Sequence, residues 1–585
     1  MLHFVASAIV VCALGWQFGH NWRAVAAHLL LLAEWDIALF LSTRWSRVAY
    51  RVGIAATCVL QFYLYGLNLV SNQSWGRNIT GRIVVAFAPT IWSEREPFPV
   101  GKLGVVAFLA GPIVIAAILV MWRSVRSVRL HADRQSPAKA ARYVPVGLVM
   151  FGVFFFTLTH AIADRDNLLW KQELLSSYFR PDGYAFEPSA RREAVADRDA
   201  VLRASYPHRA GALHKNVILI IVDSLRADHM QAYGYRRNTT PFVSQLVTSG
   251  RMLRVADAFS SCSESFCGIT STLASREFRD ISARTFQLQD VLQDEGYRMH
   301  FLLAGNHHAW NGLPQFYHVS ESDLFDGSKT VRYTMDDDRL VLEGLERVPP
   351  ASDTPAFFYV HLMSPHYLGV QFDTSHVFTA ETDRVSPGLE PYKHLDQLNK
   401  PDRYDDKVLQ ADGVIRQLFD ALTAKHYLDD AIVVITGDHG EGLGERHWAH
   451  GWHLYNEDIR IPLLIYDVPS PNYPELAFGA QVDIAPTIVD RLGLPIPSSW
   501  EGQSLLRSSS TRMTLHQTYF VPNRFAVVYR DGPSLFKFIA TPAYGKEELY
   551  DLRQDAAEAH NLVDAKPTVA AQLRKEVKAY LDDRQ

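Results

Sequence analysis

The sequence predicts an N-terminal domain of five transmembrane helices, followed by an α/β sandwich that ends in a small α+β subdomain. Two observations predict this fold class. Five apolar segments, each near the ~20 residues that a spanning helix needs, crowd the first 165 residues. After them, apolar β-branched runs alternate with amphipathic segments, as in helices that cover a mostly parallel sheet. We place the domains at 1–165 (transmembrane), 166–213 (linker), 214–510 (sandwich) and 511–585 (C-terminal).

The first apolar segment decides the number of spans. The five segments are approximately residues 2–19, 24–42, 52–71, 103–122 and 143–163. The first also fits the apolar region of a signal peptide, and any single one fits a buried core helix. However, the first segment has no basic region before it and no clear small-residue cleavage site, and four more segments follow. We therefore expect five spans.

Basic residues in the loops predict the orientation. Arg44, Arg47 and Arg51 lie between the second and third spans. Six more lie between the fourth and fifth: Arg123, Arg126, Arg129, Arg134, Lys139 and Arg142. Because cytoplasmic loops are enriched in Lys and Arg, both loops should be cytoplasmic. An odd number of spans then places everything after about residue 165 outside.

Charges inside and outside the membrane segment carry different information. Glu34 and Asp36 fall inside the second span, where an ionised carboxylate is expensive. They either line a polar cavity or pack between helices as protonated or near-interface groups, and both interpretations are open. The net charge of −5 gives no electrostatic footprint for nucleic acid, so we expect no such partner.

The four cysteines fall into two pairs. Cys12 and Cys58 lie in predicted spans, where we expect them to pack. Cys262 and Cys267 lie on either side of Ser265 in the outward part of the chain. An oxidising compartment would permit a disulfide there, but two free buried thiols remain an alternative because so tight a ring is strained.

The sandwich is predicted from a succession of strands and helices. Continuous apolar runs at 217–222, 357–360, 431–436 and 461–466 indicate strands of a buried parallel sheet. Helical patterns lie at 286–295, 407–423 and 483–492, and another at 189–204 falls in the linker. Short strands at 525–529 and 535–539 and an amphipathic helix at 569–581 predict the α+β subdomain.

Polar residues at strand ends predict a metal site. Asp223 and Asp438 each follow an apolar run, and ligands gather at the carboxyl ends of strands in α/β sheets. Together with Ser265 and His439 they can hold a dication against an alkoxide nucleophile. An Asp after a strand often only caps the next helix, so Asp223 alone is weak evidence. Four glycines around Asp438 allow the tight turns this convergence needs: Gly437, Gly440, Gly442 and Gly444.

Several motifs resemble the sulfatase and alkaline phosphatase superfamily over about residues 215 to 580. These are Asp223-Ser-Leu-Arg-Ala-Asp-His, Thr239-Thr-Pro-Phe, Gly437-Asp-His-Gly-Glu-Gly-Leu-Gly-Glu and Ala449-His-Gly. The resemblance implies an α/β sandwich of the alkaline phosphatase/sulfatase type in which Asp223, Asp438 and His439 bind metal. It also implies that His450 contacts the transferred group or a second metal. His447 and His453 are expected to be bystanders.

The nucleophile region departs from that of true sulfatases. Matching Ser271-Thr-Leu-Ala-Ser to the helix of the family places Ser265 at the nucleophile. The Pro and Arg that direct conversion to formylglycine in sulfatases are missing from the four residues that follow, Phe266-Cys-Gly-Ile. An unmodified hydroxyl points to the phosphoryl-transfer branch of the superfamily. Ser261 and Ser263 remain competing candidates.

Three further motifs extend the resemblance. In Val360-His-Leu-Met-Ser-Pro-His, the family places a His against the anionic group of the substrate, which favours His366 for that role and packing for His361. Gly305-Asn-His-His-Ala-Trp-Asn is similar to a glycerophosphate-binding motif of lipoteichoic acid synthases, but Gly312 stands in place of their Arg, and Trp310 also fits a core residue. Residues 548–562 resemble the C-terminal strand and turn of sulfatases, which carry no chemistry.

The resemblance implies a membrane-anchored, metal-dependent hydrolase or transferase of the bacterial inner membrane, with its catalytic domain in the periplasm. We expect a serine nucleophile that acts on phosphate or sulfate esters and moves a phospho-alcohol head group. Zn or Mn is the favoured ion, with Ca or Mg as alternatives, and the substrate is an envelope lipid or glycan. A sulfuric ester hydrolase and a non-catalytic regulator of envelope lipid synthesis are the alternatives. Five spans before such a domain match phosphoethanolamine transferases, lipoteichoic acid synthases and a five-helix lipopolysaccharide regulator, and the oligomeric state is open.

Overall fold

The structure, a computed structural model, divides into two compact units, residues 1–185 and 186–585, which we describe separately. It describes residues 22–43, 46–75, 112–116, 143–163, 173–179, 190–207, 213–305, 313–330, 332–334, 336–381, 400–468, 473–474, 476–507, 509–519, 524–542 and 545–582.

The first unit contains long apolar helices. Helix α1 is Trp22–Thr43, α2 is Arg47–Trp75, α3 is Val144–Ala163, and the short α4 is Leu174–Phe179. Among the described residues, three helices are long and apolar enough to cross a membrane: Val25–Thr43, Val48–Asn68 and Val144–Ile162. The predicted span at 2–19, with Cys12, and most of that at 103–122 lie outside the described residues, so the count of five stays a prediction.

Polar contacts join the helices of this unit. Thr157 Oγ1 of α3 donates to Glu34 Oε1 of α1 at 3.2 Å, which supports a carboxyl group packed between helices. His28 Nδ1 lies 2.5 Å from Glu173 Oε1, just before α4, and His28 Nε2 lies 2.9 Å from Tyr65 Oη on α2. Cys58 lies in the candidate span of α2 and forms no disulfide among the described residues, and its packing role stays a prediction.

The second unit is built on a seven-stranded sheet. Its strands are β1 Asn216–Val222, β2 Leu253–Arg254, β4 Arg298–Leu303, β5 Leu324–Phe325, β6 Ala356–Leu362, β7 Ala431–Gly437 and β11 Leu463–Val468, in the order β2-β11-β7-β1-β6-β4-β5. The strands β1, β4, β5, β6 and β7 are parallel, whereas β11 pairs antiparallel with β7. An apolar run reports burial and not direction, which is why β11 was predicted as a parallel strand.

Helices cover both faces of this sheet. Between residues 190 and 491, the described part of this unit has the α-helices α5 Ala190–Ala204, α6 Pro241–Thr248, α7 Ser265–Ala274, α8 Leu288–Asp294, α9 Pro314–Tyr317, α10 Arg339–Glu346, α11 Pro401–Ala424, α12 Asn456–Ile459, which packs instead in the core of the C-terminal sheet, and α13 Ile484–Arg491. Alternate β1 side chains point to opposite cores: Val217 packs in the core that includes α7, and Ile218 in the core that includes α11. The predicted helices at 286–295, 407–423 and 483–492 correspond to α8, α11 and α13, so the α/β architecture is confirmed.

Part of the predicted linker is bound to the sandwich. Helix α5 carries Asp199, whose buried carboxylate accepts hydrogen bonds from Nη1 and Nη2 of Arg276, each at 3.1 Å. Arg203 on the same helix pairs with Asp290 at 2.6 Å and with Asp294 at 2.9 Å. Residues 190–204 therefore belong to the second unit, while the exact domain boundaries stay predictions.

A second, antiparallel sheet closes the chain. It contains β13 Thr511–Gln517, β14 Phe525–Asp531, β15 Ser534–Thr541 and β16 Lys546–Asp551 in sequential order, and α14 Pro567–Asp582 packs against it. Two smaller sheets join β3 Asp257–Phe259, β10 Arg460–Ile461 and β12 Phe478–Ala480, and β8 Gly442–Leu443 with β9 Trp448–Ala449. Since residues 186–585 form one compact unit, a separate C-terminal subdomain stays a prediction.

Candidate active site

The ends of two neighbouring strands bring the predicted metal residues together. Val222 of β1 pairs with Gly437 of β7, so Asp223 and Asp438 leave the sheet at the same edge. Each of Asp223, Asp438 and His439 offers a ligand atom within 4.8 Å of the others. All three side chains are buried, and so is Ser265, the first residue of α7.

Ser265 lies against this cluster. Its Oγ is 2.8 Å from His439 Nε2 and 3.4 Å from Asp223 Oδ2. The neighbouring Ser263 is also buried, but its hydroxyl has no hydrogen-bond partner among the described residues. Of these two serines, only Ser265 therefore places its oxygen on the metal residues.

The donor atoms of the cluster fit a dication. His439 Nδ1 lies 2.7 Å from the Gly440 carbonyl, a contact that holds the ring proton on Nδ1 and leaves the Nε2 lone pair facing the site. Asp438 Oδ1 accepts hydrogen bonds from the backbone N–H of His439 and of Ser224, at 2.8 and 3.0 Å. Asp438 Oδ2 is buried and accepts no hydrogen bond within the described part of the chain. A buried carboxylate oxygen beside an imidazole lone pair is a suitable pair of ligands for Zn or Mn.

The buried charges of the cluster perturb one another. Burial and the nearby Asp438 carboxylate raise the pKa of Asp223 well above its usual range. Burial would also raise the pKa of Asp438, but the His439 and His361 imidazoles lower it below its ordinary value. Burial lowers the pKa of His439 and so favours the neutral imidazole that binds metals. Two carboxylates in so small a space need a cation to be ionised together.

Ser224 joins the two carboxylates, and sequence reasoning gave it no role. Its N–H donates to Asp438 Oδ1 at 3.0 Å and its hydroxyl donates to Asp223 Oδ1 at 2.9 Å. Its carbonyl accepts the Tyr404 hydroxyl at 2.6 Å, and its φ of 60° is in the left-handed region. Strained backbone of this kind collects at functional sites. Nothing in Asp223-Ser-Leu indicated it, because a positive φ at a serine has no sequence signature.

A second cluster lies beside the first. His366, Glu441 and His450 each offer a ligand atom within 4.8 Å of the others. His450 Nδ1 is 3.2 Å from both oxygens of the Glu441 carboxylate, and the ring centres of His439 and His450 are 4.1 Å apart. The structure thus unites His366 and His450 near the metal cluster. Sequence reasoning assigned no role to Glu441, although its place in the Asp438-His-Gly-Glu motif was a signal.

The two histidines of the second cluster differ electrostatically. Burial would lower the pKa of His450, but the Glu441 carboxylate, with Asp223 and Asp438, raises it to about 9. Burial and the neighbouring His450 hold the pKa of His366 well below its usual range. The site at neutral pH therefore offers one imidazolium and one neutral imidazole.

His366 presents a defined hydrogen-bond donor. Its Nδ1 accepts the backbone N–H of Leu368 at 3.2 Å. In a neutral imidazole one nitrogen accepts and the other donates, so this contact places the ring proton on Nε2. His366 can therefore donate to an anionic oxygen.

The other predicted histidines divide between the site and its surroundings. His361 Nε2 lies 4.0 Å from Asp438 Oδ2, so this residue, expected only to pack, is next to the metal cluster. His447 pairs with Asp458 at 2.9 Å and its ring stacks on His453 at 4.1 Å, and neither belongs to the two clusters. The motif that includes Trp310 and Gly312 lies outside the described residues.

A disulfide and a close backbone contact fix the nucleophile. Cys262 and Cys267 are joined by a disulfide around Ser265, and both are buried. Glu264 caps α7 by accepting the backbone N–H of Cys267 at 3.2 Å, and burial raises the pKa of Glu264 to about 7. A Cβ at Gly268 would lie 2.3 Å from the Asp438 carbonyl, so only glycine allows α7 to approach this closely.

Family models match most of the second unit. Residues 215–494 match the family described as sulfatase, and residues 444–585 match the family described as N-sulphoglucosamine sulphohydrolase, C-terminal. Both matched ranges lie within the second unit and include none of the apolar helices of the first.

Individual relatives are more distant. The chain is 28% identical over 190 residues to the multifunctional alkaline phosphatase superfamily protein PehA of Trinickia caryophylli, covering 28% of this chain and 37% of that protein. It is 22% identical over 433 residues to lipoteichoic acid synthase 1 of Bacillus subtilis, covering 65% of this chain and 64% of the synthase. The structure of a phosphonate monoester hydrolase of Agrobacterium radiobacter superimposes with a TM-score of 0.48 at 16% identity, over 63% of this chain and 96% of that one. The alignments thus span about a third to two thirds of the curated relatives.

Proposed function

Because the chain belongs to the alkaline phosphatase/sulfatase superfamily through residues 215–494, we propose that it is a membrane-anchored, metal-dependent enzyme in which Ser265 attacks a phosphate ester. The group moved is a phospho-alcohol head group of the bacterial envelope. Superfamily membership makes the chain a hydrolase or transferase, and the choice of phosphate, of lipid and of Ser265 is our proposal.

The position of Ser265 carries this proposal. Its Oγ is 2.8 Å from His439 Nε2 and 3.4 Å from Asp223 Oδ2, in a buried cluster with an unpartnered Asp438 oxygen. A hydroxyl in this position is a nucleophile that a dication can activate. Asp223, Asp438, His439 and Ser265 would hold the ion, for which we favour Zn or Mn over Ca or Mg because one ligand is an imidazole. Bound there, the ion would lower the pKa of the Ser265 hydroxyl and offset charge on the ester oxygens.

The second cluster supplies the groups that handle the ester. Once deprotonated, Ser265 Oγ forms a bond to phosphorus while the bond from phosphorus to the leaving oxygen breaks. His366 Nε2–H would donate to a non-bridging oxygen, and the His450 imidazolium, held by Glu441, would give its proton to the leaving alkoxide. In the second step an acceptor alcohol or water forms a bond to phosphorus and gives its proton back to the neutral His450, while the bond from phosphorus to Ser265 Oγ breaks.

The membrane helices suggest the kind of substrate. A chain with apolar helices near its N-terminus holds its soluble unit close to lipid head groups, and 65% of it aligns with a lipoteichoic acid synthase. We therefore propose an envelope lipid as donor and an envelope lipid or glycan as acceptor. We further propose that the second unit lies in the periplasm. The support is the basic residues between the second and third and between the fourth and fifth predicted spans, which favour a cytoplasmic location for both loops.

Sulfate ester hydrolysis is the second candidate, because the matching family is described as sulfatase. Against it, Cys267 and Ile269 stand where the Pro and Arg that direct formylglycine formation would be, and Cys267 is held in a disulfide. A non-catalytic regulator is a weaker alternative, since such a protein needs none of the metal-ligand atoms that Asp223, Asp438 and His439 bring together.

One experiment separates the three functions. Purified full-length protein is loaded with Zn or Mn and tested on bis(p-nitrophenyl) phosphate, on p-nitrophenyl sulfate and on labelled membrane lipids, with intact-mass analysis for a phosphate adduct. We expect diester cleavage and an adduct that Ser265→Ala removes and Ser263→Ala, as the matched control, retains. Sulfate cleavage without diester cleavage would support the sulfatase. Full activity of Ser265→Ala would exclude the assigned nucleophile. A wild-type protein that retains no metal after loading and cleaves none of these substrates would support the regulator.

A further inference from the structure

The loop that carries His366 is attached to helix α11 by buried polar side chains. This loop, residues 363–379, follows β6 and has no strand or helix of its own among the described residues beyond short turns. Four residues in the first three turns of α11 face it, and all are at most 4% exposed: Arg403, Asp406, Lys407 and Gln410. Buried polar groups are costly unless each is paired, so this strip requires the loop to remain in place.

Each member of the strip holds a different part of the loop. Asp406 accepts three backbone N–H groups, from Val377 and Phe378 at 2.7 Å and from Thr379 at 3.0 Å. Gln410 donates to the Val370 carbonyl at 2.8 Å and accepts the Phe372 N–H at 2.7 Å.

Arg403 completes the attachment through a side chain of the loop. Its Nη1 donates to Gln371 Oε1 at 2.6 Å, and Gln371 Nε2 in turn donates to the Ser375 carbonyl at 2.8 Å. The far half of the loop is thus held by α11 without any contact to the metal cluster.

Lys407 acts on the part of the loop that enters the site. Its Nζ donates to the carbonyl of His366 at 2.7 Å and to the carbonyl of Tyr367 at 3.2 Å. The His366 carbonyl also accepts the Gly369 N–H at 2.9 Å, which closes the turn. A Cβ at Gly369 would lie 2.1 Å from the Met363 carbonyl, so only glycine allows the turn to lie this close to it.

These contacts also decide which ring nitrogen of His366 is the donor. The turn brings the Leu368 N–H to His366 Nδ1 at 3.2 Å, which places the ring proton on Nε2. If the His366 and Tyr367 carbonyls were released, the turn could rotate and this tautomer would lose its support.

We propose that Lys407 is a positioning residue for His366: its buried ammonium holds the two carbonyls of the turn and thereby aims the His366 Nε2–H at the transferred anionic group. This inference rests on the proposed function, because it concerns the histidine that we assign to the substrate. Lys407 acts through His366 and need not touch the substrate.

The test compares Lys407, inside α11, with Lys425, the residue that follows the end of this helix. Lys407→Met keeps the length of the side chain but removes both hydrogen bonds. Since displacement of a catalytic group by about 1 Å costs up to ~100-fold in rate, we expect kcat/KM for bis(p-nitrophenyl) phosphate to fall about 10- to 100-fold. Lys425→Met is the control, because Lys425 Nζ also donates to a carbonyl, that of Val348 at 2.5 Å, but at the opposite end of α11. Its expected loss is less than about 2-fold.

A double-mutant cycle separates positioning from general damage. In the His366→Ala background, Lys407→Met should change kcat/KM by less than about 2-fold, since the group that it positions is already gone. Losses that multiply in the double variant, or a Lys407→Met variant as active as Lys425→Met, would overturn the proposal. Should Lys407→Met fail to fold, Lys407→Gln removes the ammonium but keeps a polar group at the same position, and the same cycle applies. Failure of the proposed function is distinct, because then Ser265→Ala has wild-type activity whatever Lys407 does.

Discussion

Ser224 illustrates how one small residue can organise a charged site. Its N–H and hydroxyl bind one carboxylate each, so Asp438 and Asp223 are fixed relative to each other. Its left-handed backbone costs of order 1 kcal/mol, and the three hydrogen bonds of Ser224 offset that cost. A residue that contacts no substrate therefore has a large part in the geometry of the site.

The pair of Glu441 and His450 leads to a prediction at the residue scale. Because the Glu441 carboxylate, together with Asp223 and Asp438, raises the pKa of His450 from 6.5 to about 9, these contacts stabilise the folded protein fully below pH 6.5, and this stabilisation is lost as the pH rises through about 9. In metal-free protein, Glu441→Gln should therefore lower the free energy of unfolding by up to about 3 kcal/mol at pH 6 and by much less at pH 10. Thermal melts of both proteins across this range give the measurement. A difference that is the same at every pH would contradict the assignment.

Sequence reasoning at this scale reached the residues that end strands and the histidines of recognised motifs, but not every residue beside them. Asp223 and Asp438 could be predicted because a polar residue after an apolar run marks a strand end. His361 could not be, since its proximity to the cluster depends on the register of β6. Glu441 lies in the motif that follows Asp438, but its contact with His450 depends on how the backbone turns there. The assigned roles of all these residues remain predictions.

At the scale of elements, helix α7 depends on its contact with the strand end that precedes His439. Gly268→Ala would place a Cβ 2.3 Å from the Asp438 carbonyl, so either the helix or the metal-binding turn must move. We expect a loss of about 1–3 kcal/mol in the free energy of unfolding and at least a 10-fold loss of kcat/KM. Urea melts and diester cleavage measure the two effects.

The control for this substitution is another helical glycine. Gly413 lies inside α11 with no atom within 4 Å of an added Cβ. Gly413→Ala should stabilise the protein by about 0.5–1 kcal/mol through helix propensity and leave activity unchanged. If both variants behave alike, the close approach of α7 has no special importance.

Helix α5 provides a second prediction about elements. Asp199 is 1% exposed and accepts two nitrogens of Arg276 and the Phe286 N–H, so Asp199→Asn leaves a buried guanidinium without its charge partner. We expect a destabilisation of about 3 kcal/mol and faster proteolysis between residues 180 and 215. Asp197→Asn, which removes an exposed pair of the same helix with Arg284, should cost less than about 1 kcal/mol. Equal protease sensitivity of the two variants would mean that the buried pair does not secure the helix.

At the scale of the whole molecule, the α/β sandwich was predictable because its strands are continuous apolar runs and its helices are amphipathic. The direction of β11 was not, since Leu463–Val468 is buried like its parallel neighbours and differs from them only in how the chain enters the strand. The attachment of α5 to the sandwich was not predictable either. A helix rich in Arg and Asp looks solvent-exposed in sequence, whereas α5 uses these charges to bind the sandwich.

Metal binding should stabilise the second unit as a whole. A ligand that binds only the folded state adds RT ln(1 + [L]/Kd), or about 2.7 kcal/mol at 100 times Kd. Zn or Mn should therefore raise the Tm of the chelator-treated wild type by several degrees. The Tm of Asp438→Asn should barely respond, because this variant loses the unpartnered oxygen. A similar shift in both proteins would place the ion elsewhere.

The disulfide between Cys262 and Cys267 bears on when the site becomes active as the protein is made and exported. Disulfides form in oxidising compartments and are rare in the cytosol. If the second unit is periplasmic, as we propose, the ring around Ser265 closes only after export. Before export, the newly made chain would therefore meet the phosphate esters of the cytoplasm without the disulfide in its nucleophile loop. The bond would serve as a maturation step that delays reactivity until the protein reaches its own substrates.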